Sequence, residues 1–101
     1  MDGFDIDGLD EVIHGRVRLG VMAFLSSAGA AEFGQLRERL QLTDGNLSVH
    51  LRKLEDAGYV AIEKRFVGRK PNTRVSLTPA GRAAFVAYLD AIGRLVDGAR
   101  G

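Results

Sequence analysis

Two groups of side chains in this chain of 101 residues have types and spacing suited to holding a partner rich in negative charge. The first lies in TDGNLSVHLRKLEDAG, residues 43–58, where Gly45, Asn46, Ser48, Val49, His50, Arg52 and Lys53 interleave with leucines at 47, 51 and 54. The second is a run of five bases, Lys64, Arg65, Arg69, Lys70 and Arg74, with no acid between 64 and 74. A local basic cluster of this kind supplies the potential that a polyanion requires. Neither group holds the parts of an enzyme. There is no nucleophile–base pair and no phosphate-cradling glycine loop, so no catalysis is expected. The chain has no cysteine, which excludes disulfides and zinc-thiolate sites. Its two histidines, His14 and His50, have no partner at ligand spacing, so no metal and no cofactor is expected.

The elements that must position these residues follow from the apolar pattern. Leu47, Leu51 and Leu54 recur at helical spacing and mark the buried side of a helix over 43–57, capped at Thr43-Asp44 and stopped at Ala57-Gly58. A shorter helix over 32–40, with Phe33, Leu36 and Leu40 inward, precedes it. Tyr59–Lys64 and Thr73–Leu77 alternate with period two, and GRKPN at 68–72 is turn chemistry. Residues 59–78 therefore read as a β-hairpin with a long basic tip. Thr78-Pro79 is a helix start, cap then proline, for a last helix over 79–97. A first helix is expected over 9–28, stopped by Gly29. Both outer helices are apolar over more than one face, which predicts a second burial partner for each. Residues 1–8 are acidic and glycine-spaced and are expected to fray.

The whole is a single domain of mainly α class with a small β-hairpin. Helix, tight turn, helix and hairpin in that order form a winged helix-turn-helix, the outer helices being candidates for dimerisation. Such an arrangement leaves one face of helix 43–57 proud of the domain, and a helix fits the major groove of B-DNA. Asn46 can read a base edge or hold a phosphate, Ser48 lets the helix sit deep, and Val49 suits a thymine methyl. Gly45 permits close approach or is simply tolerated in a first turn. Arg52 and Lys53 suit phosphates, as does the helix N-terminus itself. Arg65, Arg69, Lys70 and Arg74 would lie along the backbone or in the minor groove. His50 borders the buried side, where packing or a phosphate contact suits it better than metal ligation.

Leu47-Ser48-x-His50-Leu51-x-x-Leu54-Glu55-x-x-Gly58-Tyr59-Val60, a basic wing, and then Leu77-Thr78-Pro79-Ala80-Gly81-Arg82 resemble the winged-helix domains of bacterial and archaeal transcriptional regulators. The Ser-x-His-Leu-x-x-Leu core is similar to the ArsR-like group and the Leu-Thr-Pro-Ala-Gly ending to the MarR-like group. The resemblance spans roughly residues 30–95. It implies a homodimer joined through the first and last helices and bound to a pseudo-palindromic double-stranded operator. Two departures matter. The wing tip is Gly68-Arg69-Lys70-Pro71 where many MarR-like wings carry Asp-x-Arg, and ArsR-like metal sensing by cysteine has no basis here. A small-molecule effector is left open.

Charge is divided along the chain. Residues 1–13 carry five acids and no base, and the remainder 14 bases against eight acids. The longest apolar run, Val21–Leu25, is too short to span a bilayer. No basic-then-apolar leader opens the sequence, and with the lack of cysteine this predicts a cytoplasmic protein. The competing reading is a winged-helix module for protein–protein contact. The acid-free wing argues against it. Single-stranded nucleic acid would call for exposed aromatics on a sheet, and only Phe66 lies near the wing.

Overall fold

The computed structural model describes residues 5–100. After a 3-10 turn at Ile6–Gly8 come α1 (Arg16–Ala28), β1 (Ala30–Glu32), α2 (Phe33–Leu40), α3 (Asp44–Asp56), β2 (Val60–Val67), β3 (Lys70–Leu77) and α4 (Pro79–Arg100). Helices dominate, and the strands form one antiparallel sheet in the order β1-β3-β2. Of the residues expected to fray, 5–8 include that turn, capped by the Asp5 carboxylate accepting from the Asp7 amide; residues 1–4 lie outside the described residues.

The first helix starts later than its apolar pattern implies. Asp10 accepts from the amides of Val12 (2.8 Å) and Ile13 (3.2 Å), so its side chain competes for donors that a continuous helix would use otherwise. A single turn results, followed by Gly15 in extended conformation as the N-cap of α1. Residues 9–15 thus form a strap rather than a helix. Ile13 is fully buried all the same, which explains why the periodicity ran through the strap.

α1 sits at the centre, packed on all three other helices and on β1 and β3. Val21, Met22 and Leu25 are fully buried, and Phe24 lies under the Arg39 guanidinium, 5.3 Å from the ring centre. Its apolar excess is therefore largely taken up inside its own domain. β1, which no alternation in the sequence announces, pairs with the far edge of β3 through Ala30↔Ser76, Ala31↔Val75 and Glu32↔Arg74. The hairpin is longer and its turn tighter than the sequence suggests. Val67 pairs with Lys70, leaving Gly68-Arg69 as a two-residue turn with Gly68 at φ +64. Lys70, Pro71 and Asn72 belong to β3. Pro71 is tolerated there because it faces Phe66 one step from the closing pair, where β3 bonds outward, and β1 ends at Arg74.

One joint ties α3, the hairpin and α4 together. Gly58, at φ +80, ends α3, and the Tyr59 amide bonds back to the Leu54 carbonyl (2.9 Å). Thr78 Oγ1 donates to the Gly58 carbonyl (2.6 Å) and accepts from the Gly81 amide (2.9 Å), capping α4. Gly81 lies so near the Tyr59 carbonyl that a Cβ there would sit 2.1 Å from the oxygen.

Candidate nucleic-acid interface

α3 is fixed from behind and at its start. Leu47, Leu51 and Leu54 are 0–2% exposed, locking the inward face. Thr43 Oγ1 accepts from the Asn46 amide (3.1 Å), satisfying one free donor of the first turn. Arg37 on α2 clips Asp44 at 2.8 Å across the intervening turn. The contact pushes the Arg37 guanidinium pKa above its usual value, chiefly through its hydrogen bond to Asp44.

Gly45, Asn46, Ser48, Val49, Arg52 and Lys53 are all exposed, opposite the leucines. His50 is half-buried on the edge that faces α1. Its Nδ1 lies 2.9 Å from an Arg18 guanidinium nitrogen. The same Arg18 also donates to the carbonyls of Val12 and Glu11 in the strap. Burial, then the charges of Arg18 and Lys53, push the His50 pKa below its ordinary value. Because a guanidinium can only donate, Nδ1 accepts and the imidazole proton rests on Nε2. Arg18 carries no signal in the sequence that marks it as the support of this face.

In the hairpin, Lys64, Arg65, Arg69, Lys70 and Arg74 are all exposed, but the sheet sorts them. Directly paired residues share a face. The face carrying Ile62↔Val75 continues through Lys64↔Thr73 to Phe66↔Pro71 and overlooks α3. Between it and α3 lies an open groove of about 630 Å³, with Phe33, Leu51 and Ile62 among its lining and Ser48, Arg52, Lys64 and Thr73 bordering it. Lys64 thus faces the α3 surface, a position that the charge run alone did not single out. Arg65 and Arg74 lie on the opposite face. Arg65 Nε donates to Asn72 Oδ1 at 3.4 Å, and Arg74 stands in register between Glu63 and Glu32. The acid-free run of the sequence is therefore flanked by two carboxylates at Arg74, and its undiluted positive part is the outer hairpin.

Three further side chains tie distant elements together. Arg82 reaches the Ser26 carbonyl (3.3 Å) at the end of α1, where it meets the negative end of that helix. His14 Nδ1 pairs with the Tyr88 hydroxyl at 2.7 Å. Tyr59 donates its hydroxyl to Asp10, and its pKa is pushed up to about 12, mainly by that bond. Among the described residues no group of three or more histidines and carboxylates is placed to hold a metal ion. No helix there is long and apolar enough to cross a membrane.

Comparison with known proteins agrees with this geometry. Residues 17–96 match the family model described as a winged helix DNA-binding domain. An uncharacterized protein of Methanocaldococcus jannaschii is 38% identical over 79 residues, covering 78% of this chain and 86% of that protein. The structure of a transcriptional regulator homologue from Pyrococcus horikoshii OT3 superposes with a TM-score of 0.88 at 32% identity, covering 98% of each chain. A structure described as a transcriptional regulator of the MarR family, from Enterococcus faecalis V583, gives 0.72 at 28% identity over 88% of this chain and 80% of that one.

Proposed function

The chain belongs to the winged helix DNA-binding domain family, a family of regulators rather than enzymes, and we propose that it acts as a homodimeric, sequence-specific transcriptional regulator. On this reading α3 enters the major groove of a pseudo-palindromic operator and the basic hairpin lies on the backbone or in the minor groove. The observation that carries it is the two-sidedness of α3, with Leu47, Leu51 and Leu54 sealed in the core and the Asn46, Val49, Arg52 and Lys53 side fully offered beside the basic hairpin.

Affinity comes from Arg52, Lys53, Arg65, Arg69, Lys70 and Arg74 on phosphates, joined by Lys64. His50 donates through Nε2 to the backbone, and Asn46, Ser48 and Val49 set base preference, with Gly45 permitting close approach. Dimerisation rests on α4. Val86, Leu89 and Val96 are 53%, 50% and 46% exposed and fall along one side of that helix. Among the described residues none beyond Ala91 is buried, so the end of α4 projects from the body with an apolar stripe uncovered. α1 contributes less than its composition suggests, its apolar surface being occupied at home. On this reading the protein is cytoplasmic.

Binding to a random-sequence duplex library across a salt series, with the bound pool sequenced, tests the proposal. An enriched inverted repeat and affinity that falls steeply with salt are expected. No enrichment together with salt-insensitive binding would overturn it.

A further inference from the structure

The outer hairpin presents an apolar pair among its cations. Phe66 is 72% exposed, the highest among the large hydrophobics of the described residues. Opposite it in the sheet stands Pro71, on the same face as Lys64 and the groove beside α3. At the strand rise of about 3.3 Å per residue, Phe66 lies roughly 13 Å beyond Ile62, the last half-buried residue of β2. The ring has no core to support; Lys64 shares its face, Arg69 stands in the turn beyond it, and Arg65 and Lys70 lie on the reverse of the same narrow hairpin. A second copy of the same tip would bring like charges together, and a neutral apolar partner would leave those cations unmatched. A duplex satisfies both, with phosphates for the cations and base and sugar surfaces for the rings.

We propose that Phe66 and Pro71 form an apolar wedge that enters the minor groove beside the α3 site and partly unstacks one base step. Apolar wedges of this kind open a step and bend the duplex, and unstacking is easiest at flexible pyrimidine–purine steps. The hairpin thereby adds preference at a position that no hydrogen-bonding side chain reads. The inference rests on the DNA-binding reading above and deepens it.

The test uses the duplex enriched from the library, resynthesised with 2-aminopurine at successive adenines under the hairpin. Wild type is expected to raise 2-aminopurine fluorescence at one step. Phe66→Ala should bind roughly 5- to 100-fold more weakly, with an unchanged salt slope and no fluorescence rise. Lys70→Ala should lower the salt slope by about 1 while keeping the rise. Circular dichroism of Phe66→Ala checks that the fold is intact, as its exposure implies. If Phe66→Ala keeps wild-type affinity and the full fluorescence rise, the wedge is wrong and the DNA reading stands. If wild type shows no salt-dependent duplex binding, the reading beneath it falls and the wedge with it.

Discussion

Arg18 and His50, 32 positions apart, meet through a guanidinium nitrogen and an imidazole Nδ1 at 2.9 Å. This contact joins α1 to α3, the same Arg18 holding the strap through the Val12 and Glu11 carbonyls, and it fixes the tautomer that α3 presents. Nitrogen-15 spectra should show His50 neutral at pH 7 with its proton on Nε2. Burial, reinforced by Arg18 and Lys53, lowers its pKa below 6.5. Below that ordinary value the unfolded chain binds a proton that the folded chain refuses, so this contribution to stability falls as pH drops from 6.5 toward the folded pKa, and levels off beneath it. Arg18→Ala should move the His50 titration upward. A His50 that keeps the Nδ1–H form, or titrates at or above 6.5, contradicts this arrangement.

Gly81→Ala should destabilise the protein by roughly 1–3 kcal/mol through overpacking, although alanine is the better helix former by up to about 1 kcal/mol. The sign reverses because the new Cβ would meet the Tyr59 carbonyl at 2.1 Å and Leu77 Cδ1 at 2.9 Å. Gly45→Ala, where nothing lies within 4 Å, should be neutral or stabilising. Urea unfolding of the two variants side by side checks the contrast, and equal midpoints would refute the close approach.

Much of this architecture is legible in the sequence, and the rest fails for particular reasons. The leucine spacing at 47, 51 and 54, the Thr43 cap and the Thr78-Pro79 start are local signals, and α3 and α4 begin within a residue of where those signals put them. β1 is not local: Ala30-Ala31-Glu32 has no pattern of its own and becomes a strand because β3 offers an edge. Pro71 reads as a turn residue until its pairing with Phe66 shows that it owes no ladder bond. Arg74 looks unopposed because Glu32, its neighbour in the sheet, is 42 positions away. The support of His50 by Arg18 is hidden for the same reason. Except for Pro71, whose partner lies across the turn, the deciding partner is distant in the chain.

Tyr59 should resist ionisation by alkali. Its ionisation, taken from the difference between wild type and Tyr59→Phe in ultraviolet titration, is expected at about 12 and to fall in Asp10→Asn. Between the ordinary value of 10 and 12 the unfolded chain has released a proton that the folded chain retains, so this group's contribution to stability is lost as pH rises through that window. Ionisation near 10 would show that Asp10 does not hold the hydroxyl.

Leu89→Glu should leave the fold intact, since the side chain is half exposed, and yield a monomer by sedimentation. Loss of the paired site should then weaken operator binding on the order of 100-fold or more. A variant that remains dimeric would move the interface away from this stripe.

Lys70→Ala and Asn46→Ala should separate grip from reading. The first is expected to weaken all duplexes alike, and the second to relax preference at one base position while costing about 1–3 kcal/mol at the preferred sequence. Equal losses with unchanged preference in both would sink this division of roles.

A hairpin closed by two residues is a ruler with a coarse scale. Adding one residue to each strand between the core and the tip would advance the turn by about 3.3 Å, but would also rotate every later pair to the other face. Phe66 and Pro71 would then point away from α3, and Arg65 with Asn72 toward it. Reach can change without that inversion only in steps of two pairs, near 7 Å. Relatives built on this sheet should therefore differ in wing length by even increments, and a single-pair insertion should behave as a change of surface rather than of length.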